Sequence, residues 1–127
     1  MPNMLSSKLL LTALSLSALT TIGFAQHGDD EAASFYTEEI QPLLEEHCLK
    51  CHGGKPRIKA GLDLTTRSGL LRGGDMGPSL DEGSPERSLL LAMLSYRDED
   101  HEMPPKGKLQ GTDLDSFERW VHMGAPY

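Results

Sequence analysis

The sequence predicts a small all-α domain in which three or four short helices are joined by long loops. Three segments carry apolar residues at helical spacing, whereas stretches in which apolar and polar residues alternate, as in a β-strand, are nearly absent. The 13 glycines and 8 prolines among 127 residues are typical of a loop-rich fold. Only 38% of the residues are hydrophobic, which is low for a domain that fills its own core. We therefore expect long loops that wrap around a non-protein group.

Residues 1–25 have the composition of a signal peptide. Lys8 is their only charge, residues 9–22 are an apolar run, and small residues stand at the positions that signal peptidase reads before a cut after Ala25. A retained membrane anchor is the competing interpretation, but the run is shorter than the roughly 20 residues that a spanning helix needs. We expect cleavage, a periplasmic or otherwise exported protein, a flexible lead-in at residues 26–33 and one domain at residues 34–127.

The first helix is predicted to begin at Ser34, whose hydroxyl can accept a hydrogen bond from the first unpaired amides. Apolar residues then recur near helical spacing up to Cys48. Pro42 interrupts this pattern because it removes one backbone donor and clashes with the preceding turn. We expect either a kink near Ile40 or a second short helix that starts there.

The middle of the chain predicts a short strand, a helical turn and a second helix. The alternation in residues 61–65 favours the strand, and the sequence SGLLRGG favours a turn that ends at a glycine. Ser84 and Pro85 are typical of a helix start. The buried stripe of this second helix is predicted to be Leu89, Leu90, Met93 and Leu94.

A third helix is predicted to begin at Thr112, which forms a capping-box pattern with Asp115. Gly124 is expected to end this helix, and Pro126 follows it. The inner face is predicted to consist of Leu114, Phe117 and Val121, with Trp120 nearby.

Both cysteines lie in one short motif, Cys48-Leu49-Lys50-Cys51-His52. This is the attachment signature of a c-type haem. Residues three apart lie on one face of a helical turn, so both sulfurs can reach adjacent pyrroles while the imidazole of His52 reaches the iron. The motif therefore predicts one covalent haem c, with Cys48 and Cys51 as thioether sites and His52 as the proximal iron ligand.

Other chemistries of a C-x-x-C pair fit less well. Zinc needs about four nitrogen or sulfur ligands, and neither a second C-x-x-C nor an H-x-x-x-H pair is present. A thioredoxin-like pair follows a strand, whereas here a helical pattern precedes the cysteines. A plain disulfide would close a very small loop and would stabilise little.

The sixth iron ligand is predicted to be Met103, which lies in a loop and is followed by Pro104 and Pro105. The prolines stiffen the backbone, so the thioether can be presented with little entropy left to lose. The main rival is His101, with Met76 behind it. Met93 is interpreted as core packing, Met123 lies at a helix end, and His47 is interpreted as a solvated residue on another helix face.

Pro78 is a candidate for the hydrogen bond that orients the proximal ligand. Such an imidazole normally donates its remaining N–H to an acceptor, and the carbonyl of Pro78 could supply it for His52. An ordinary Gly-Pro turn at Gly77 is the alternative interpretation.

Residues 35–127 resemble the planctomycete-type cytochrome c domain within the class I cytochrome c group. The similar segments are FYTEEIQPLLEEHCLKCHGG, GLDLTTRSGLLRGGDMGPSL, SPERSLLLAML, EMPPKGKL and FERWVHMGAPY. The resemblance implies the same haem and iron ligands, a cytochrome c-like fold, and packing of the first and last helices through Phe35 and Trp120. The sequence departs from the family pattern at Glu102, where the family commonly has a basic residue.

The two axial ligands close the iron to substrate, so we expect a monohaem electron carrier rather than an enzyme. The alternatives are a peroxidase-like enzyme or sensor with a labile sixth ligand, and a non-haem interaction module. The net charge of −7, with 19 acidic and 12 basic side chains, argues against nucleic acid. It predicts redox partners with a basic docking surface. The haem-attachment machinery is a further partner, and no stable membrane insertion is expected after cleavage.

Overall fold

Helices and loops form nearly all of residues 25–127, the part of the chain that the computed structural model describes. The predicted signal peptide lies outside this part except for Ala25. No helix among the described residues is long and apolar enough to cross a membrane. The α-helices are α1 (Ala25–Phe35), α2 (Gln41–His47), α3 (Leu49–His52), α4 (Arg67–Arg72), α5 (Leu89–Leu94) and α6 (Gly111–His122).

The first helix begins at Ala25 rather than at Ser34. Residues 26–33, predicted to be a flexible lead-in, are thus helical, and their Glu and Ala residues are good helix formers. A π-helical turn, Tyr36–Ile40, follows, and the amide of Gln41 bonds back to the carbonyl of Tyr36. The predicted change near Ile40 is therefore confirmed, because Pro42 in the first turn of α2 cannot continue the regular ladder.

The strand predicted at residues 61–65 is wrong. Those residues form a loop in which the carboxylate of Asp63 accepts hydrogen bonds from the amide and the hydroxyl of Thr65, at 2.9 and 2.6 Å. This local turn competes with strand pairing. A two-residue antiparallel hairpin occurs earlier, between β1 (Gly53–Gly54) and β2 (Arg57–Ile58).

The predicted helical turn is confirmed as α4. Its start is capped by the hydroxyl of Thr66, which accepts from the amide of Gly69 at 3.1 Å. It ends at Gly73, whose φ of +70° is unfavourable for a residue with a Cβ. A Cβ at Gly73 would also lie 1.8 Å from the carbonyl oxygen of Gly77, so glycine is required at this close approach.

The predicted second helix is divided in two. A 3₁₀ turn, Pro85–Arg87, is followed by extended backbone at Ser88 and then by α5. Ser88 is fully buried, and its hydroxyl accepts from the amide of Asp81 at 3.0 Å, which holds the break in place. The buried residues of α5 are Leu90, Leu91 and Leu94, so the break shifts the predicted stripe away from Leu89 and Met93.

The third predicted helix is confirmed as α6, although no side-chain cap forms at its start. Its inner face buries Phe117, Trp120 and Val121. The first and last helical segments pack together as expected, but Tyr36 rather than Phe35 lies on Trp120, with ring centroids 6.2 Å apart. Phe35 instead contacts the guanidinium of Arg119 at 4.3 Å. This packing supplies the centre of the core.

Because the Phe117 side chain is fully buried, its removal should be costly. Phe117→Ala should lower the free energy of unfolding by about 3–5 kcal/mol through lost burial and the cavity left behind. Glu118→Ala, on the exposed face of the same helix, should change it by no more than about 0.5 kcal/mol. Urea denaturation of the purified proteins measures both values. Equal effects of the two substitutions would contradict the packing of α6.

Candidate cofactor site

A cavity of about 350 Å³ lies between the turn at Cys48 and the loop that contains Met103. Most of its walls are apolar side chains from segments far apart in sequence. It brings together every predicted thioether and iron-ligand residue. The lining residues are His47, Cys48, Cys51, His52, Lys59, Ala60, Leu62, Leu64, Ser79, Leu90, Met93, Leu94, Met103, Pro104 and Pro105.

The near wall is built from one helical turn. Cys48 stands between α2 and α3 with φ −121° and ψ −49°, so the chain bends there. Its carbonyl accepts hydrogen bonds from the amides of Cys51 and His52, at 3.1 and 2.9 Å. Both sulfurs are free thiols, and burial raises the pKa of Cys48 to about 11. The turn therefore presents two thiols and one imidazole to the same space.

The imidazole of His52 is oriented by a backbone carbonyl. Its Nδ1 lies 3.1 Å from the carbonyl oxygen of Lys59. A carbonyl can only accept, so Nδ1 is the nitrogen that donates to Lys59, and Nε2 is the nitrogen left to ligate a metal. The hairpin after His52 turns the chain back at once, and Ile58 bridges to His52. This short return places Lys59 beside the ring.

Pro78 is not the acceptor that His52 uses in this structure. It does not line the cavity, and its neighbour Ser79 does. The prediction overlooked that the hairpin brings Lys59 back to the ring within seven residues. The role predicted for the carbonyl of Pro78 is thus filled by that of Lys59.

Met103 also lines the cavity, and two contacts fix its loop. Its amide donates to the carbonyl of Met93 at 3.3 Å. The hydroxyl of Tyr96 donates to the carbonyl of Pro104, the next residue. The stiff loop predicted from the prolines is therefore anchored to the end of α5, and it carries the thioether into the cavity wall.

The rivals of Met103 lie in different places. His101 is exposed, and its Nδ1 lies 2.8 Å from the carboxylate of Asp98, away from the cavity lining. Met76 is 49% exposed and is also not a lining residue. Met93, interpreted as core packing, is half-buried and does line the cavity. The structure thus places two thioethers, those of Met93 and Met103, at one site.

Three polar lining residues were missed or misread in the sequence. His47 is half-buried in the cavity wall rather than solvated, because the bend at Cys48 breaks the helical register on which that interpretation relied. Lys59 and Ser79 belong to no recognisable motif, and only the return of the chain brings them here.

Tyr127, the last residue of the sequence, holds one wall of the cavity in place. The hydroxyl of Tyr127 donates to the carbonyl of Leu64, a lining residue, at 3.0 Å. Its ring packs against Tyr36 and Trp120, with centroids 4.6 and 5.5 Å apart. Burial raises the pKa of Tyr127 above its ordinary value, with smaller contributions from Tyr36, Asp63 and Cys48. The protonated phenol is therefore the form that the fold requires.

The donor set fits a covalently held metal macrocycle. Among residues 25–127, no group of three or more His, Cys, Asp or Glu side chains could hold a metal ion by itself. Two thiols on one turn, an imidazole with a free Nε2 and a thioether on the facing wall supply attachment points and axial donors instead. The apolar walls suit a large flat hydrophobic group.

Residues 48–107 match the model of a family described as planctomycete cytochrome C. The matched segment contains both cysteines, His52 and Met103, and the match confirms the resemblance found in the sequence. Such a domain implies haem c and indicates a haem-binding c-type cytochrome. Neither the curated proteins nor the solved structures contain a significant match to the chain.

Tyr127→Phe tests the hydrogen bond from the Tyr127 hydroxyl to the carbonyl of Leu64. At pH 8 the substitution should lower the free energy of unfolding by about 1 kcal/mol, the usual value of one hydrogen bond. The pKa of Tyr127 is higher in the folded protein than in the unfolded chain, where it is about 10. The resulting contribution to the free energy of unfolding is therefore complete at pH values below 10, and it is lost as the pH rises through the folded pKa.

At pH 11 the gap between Tyr127→Phe and the wild type should therefore close, since only the wild type gains a phenolate at this position on unfolding. The two proteins share every other tyrosine, so their difference isolates Tyr127. Urea denaturation at both pH values measures it. A gap that widens with pH would contradict the buried, protonated phenol.

Proposed function

Because residues 48–107 carry a domain of the planctomycete cytochrome c family, we propose that the chain is an exported, periplasmic monohaem cytochrome that transfers single electrons. The observation that carries the proposal is that Cys48, Cys51, His52 and Met103 all line one cavity. In this proposal the two cysteines hold haem c through thioether bonds, and His52 and Met103 are the axial ligands. The protein itself catalyses no reaction.

Each of these residues has a defined task. The bound haem supplies one-electron chemistry at its iron. The bond from Nδ1 of His52 to the carbonyl of Lys59 fixes the ring and its tautomer, so Nε2 stays available. The contacts of the Met103 loop with Met93 and Tyr96 hold the thioether in one position. A ligand set that is held in this way has little to rearrange when the iron changes its oxidation state.

The walls of the cavity favour the reduced state. Leu64, Leu90 and Leu94 are buried and surround the site with apolar surface. A low dielectric disfavours the extra positive charge of the ferric state, and a thioether ligand acts in the same direction. Together they predict a higher reduction potential than that of a bis-histidine haem in a wet site.

The partners in this proposal are redox proteins that approach the opening of the cavity, and the haem-attachment machinery during maturation. The net charge of −7 attracts a protein with a basic surface at long range. Nucleic acid is not among the proposed partners.

Met103→Ala tests the axial ligand. The ferric protein should lose its methionine–iron charge-transfer absorption, the reduced protein should bind carbon monoxide rapidly, and the reduction potential should fall. Met93→Leu is the matched control, because Met93 lines the same cavity and leucine keeps its apolar volume.

If Met93→Leu loses the absorption and Met103→Ala keeps it, the sixth ligand is Met93 instead. Rapid binding of carbon monoxide or peroxide by the unmodified protein would favour the peroxidase-like enzyme or sensor over the electron carrier.

The cysteines give the test of covalent attachment. Replacing both Cys48 and Cys51 by serine should yield protein whose haem, if any is bound, is extracted by acidic acetone, because no thioether remains. The wild-type protein, made with a haem-attachment system, should keep its haem after the same treatment. The pyridine haemochrome spectrum measures both. A wild-type protein without haem would favour the non-haem interaction module.

A further inference from the structure

Two serines are the buried polar residues of the described chain. Ser79 and Ser88 have 4% and 0% of their surface exposed. The hydroxyl of Ser88 has its partner within the fold, because it accepts from the amide of Asp81 at 3.0 Å. The hydroxyl of Ser79 forms no hydrogen bond with any of residues 25–127. Buried hydroxyls are nearly always paired, so the exception at Ser79 points to a partner outside the polypeptide.

The backbone of Ser79 is held on both sides. Its amide donates to the carbonyl of Leu70 in α4 at 3.2 Å, and its carbonyl accepts from the amide of Leu90 in α5 at 3.0 Å. These bonds fix the position of the residue between two helices without any use of its side chain. The hydroxyl is therefore held in place, and the fold gives it no structural task.

The side chain of Ser79 faces the cofactor cavity. Its neighbours Pro78 and Leu80 line a separate surface pocket, whereas Ser79 lines the cavity itself. Each fully enclosed polar side-chain atom in the described part of the chain has a hydrogen-bond partner. The unpaired oxygen of Ser79 is thus not sealed within the protein but opens to the cavity space.

The cavity lining suits a group that is apolar over most of its surface and negative at one place. None of the lining residues is an Asp or a Glu, and Lys59 supplies a positive charge. Lys59 forms no ion pair with another residue in the range 25–127. An anion in this cavity would therefore meet donors and no like charge among the lining residues, which lowers the cost of its burial.

A bound haem offers few acceptors to a hydroxyl. In the proposed function His52 and Met103 occupy both axial positions of the iron. The thioether sulfurs accept only weakly. The carboxylates of the propionate side chains are the strong acceptors, and a hydrogen bond to a carboxylate is roughly twice as strong as one between neutral groups.

We propose that Ser79 is a binding site for a propionate carboxylate of the haem, to which its hydroxyl donates a hydrogen bond. This inference rests on the proposed function, because it takes the haem to be in the cavity. It adds a contact to a side chain of the haem, distinct from the attachment through cysteine and from the ligation of the iron.

The test compares holoproteins whose haem carries carbon-13 at the propionate carboxyls. The difference between the infrared spectra of labelled and unlabelled protein isolates the stretching band of these carboxylates. In Ser79→Ala one component of the band should shift, because one carboxylate loses a donor. Ser79→Thr keeps a hydroxyl at this position and should restore the wild-type band.

Ser116→Ala is the matched control. Ser116 is half-buried on α6 and does not line the cavity, so the same loss of a hydroxyl should leave the carboxylate band unchanged. An unshifted band in Ser79→Ala, or an equal shift in Ser116→Ala, would overturn the proposal.

Stability gives a second readout with a defined sign. Ser79→Ala should raise the unfolding equilibrium constant of the holoprotein about tenfold or more, which is the usual effect of losing a hydrogen bond to a charged group. Removal of a hydroxyl that has no partner would instead leave this constant unchanged or lower it, and that result would contradict the proposal. Urea denaturation measures the constant.

The two proposals fail in different ways. Purified wild-type protein without haem, shown by the pyridine haemochrome spectrum, would refute the proposed function and with it the basis of this inference. Protein that contains haem, but in which Ser79→Ala leaves both the carboxylate band and the unfolding constant as in the wild type, would refute the role of Ser79 alone.

Discussion

The whole site depends on one acceptor, the carbonyl oxygen of Cys48. It accepts from the amides of Cys51 and His52, and this closes the turn that puts two sulfurs and one imidazole on the same side. The bend at Cys48 also ends α2 and frees the chain to fold back through the hairpin. That return supplies the carbonyl of Lys59, which orients the imidazole. The placement of both thiols and the orientation of the imidazole thus follow from a single local constraint.

The facing wall depends on long-range packing instead. Met103 reaches the cavity because its loop is tied to the end of α5, whose buried leucines join the same core as Trp120 and Phe117 of α6. Tyr127 connects that aromatic core to Leu64, which lines the cavity. The protein therefore places the imidazole of His52 and the thioether of Met103 at the cavity by different means. The imidazole is placed by local hydrogen bonds, and the thioether is placed by the docking of a stiff loop on a rigid core.

This difference explains how much the sequence could predict. Spacing alone identified Cys48, Cys51 and His52, because a single turn brings them together. Met103 was predicted to reach the same site because its prolines restrict the backbone before any tertiary contact forms, and it does line the cavity. His47 and Lys59 were not recognisable as wall residues, since their positions depend on a bend and a two-residue hairpin with no strong pattern. The break at Ser88 likewise depends on its buried bond with Asp81, which periodicity cannot reveal.

Charge shows the same limit in another form. A net charge counts every ionised side chain equally, whereas the interaction at a docking surface weights each one by its distance and its screening. The C-x-x-C-H motif lies between an acidic helical segment and a basic hairpin, so the sign of the formal charge changes along the chain next to Cys48. The hairpin that returns Lys59 to orient His52 also carries the positive charge to the edge of the cavity.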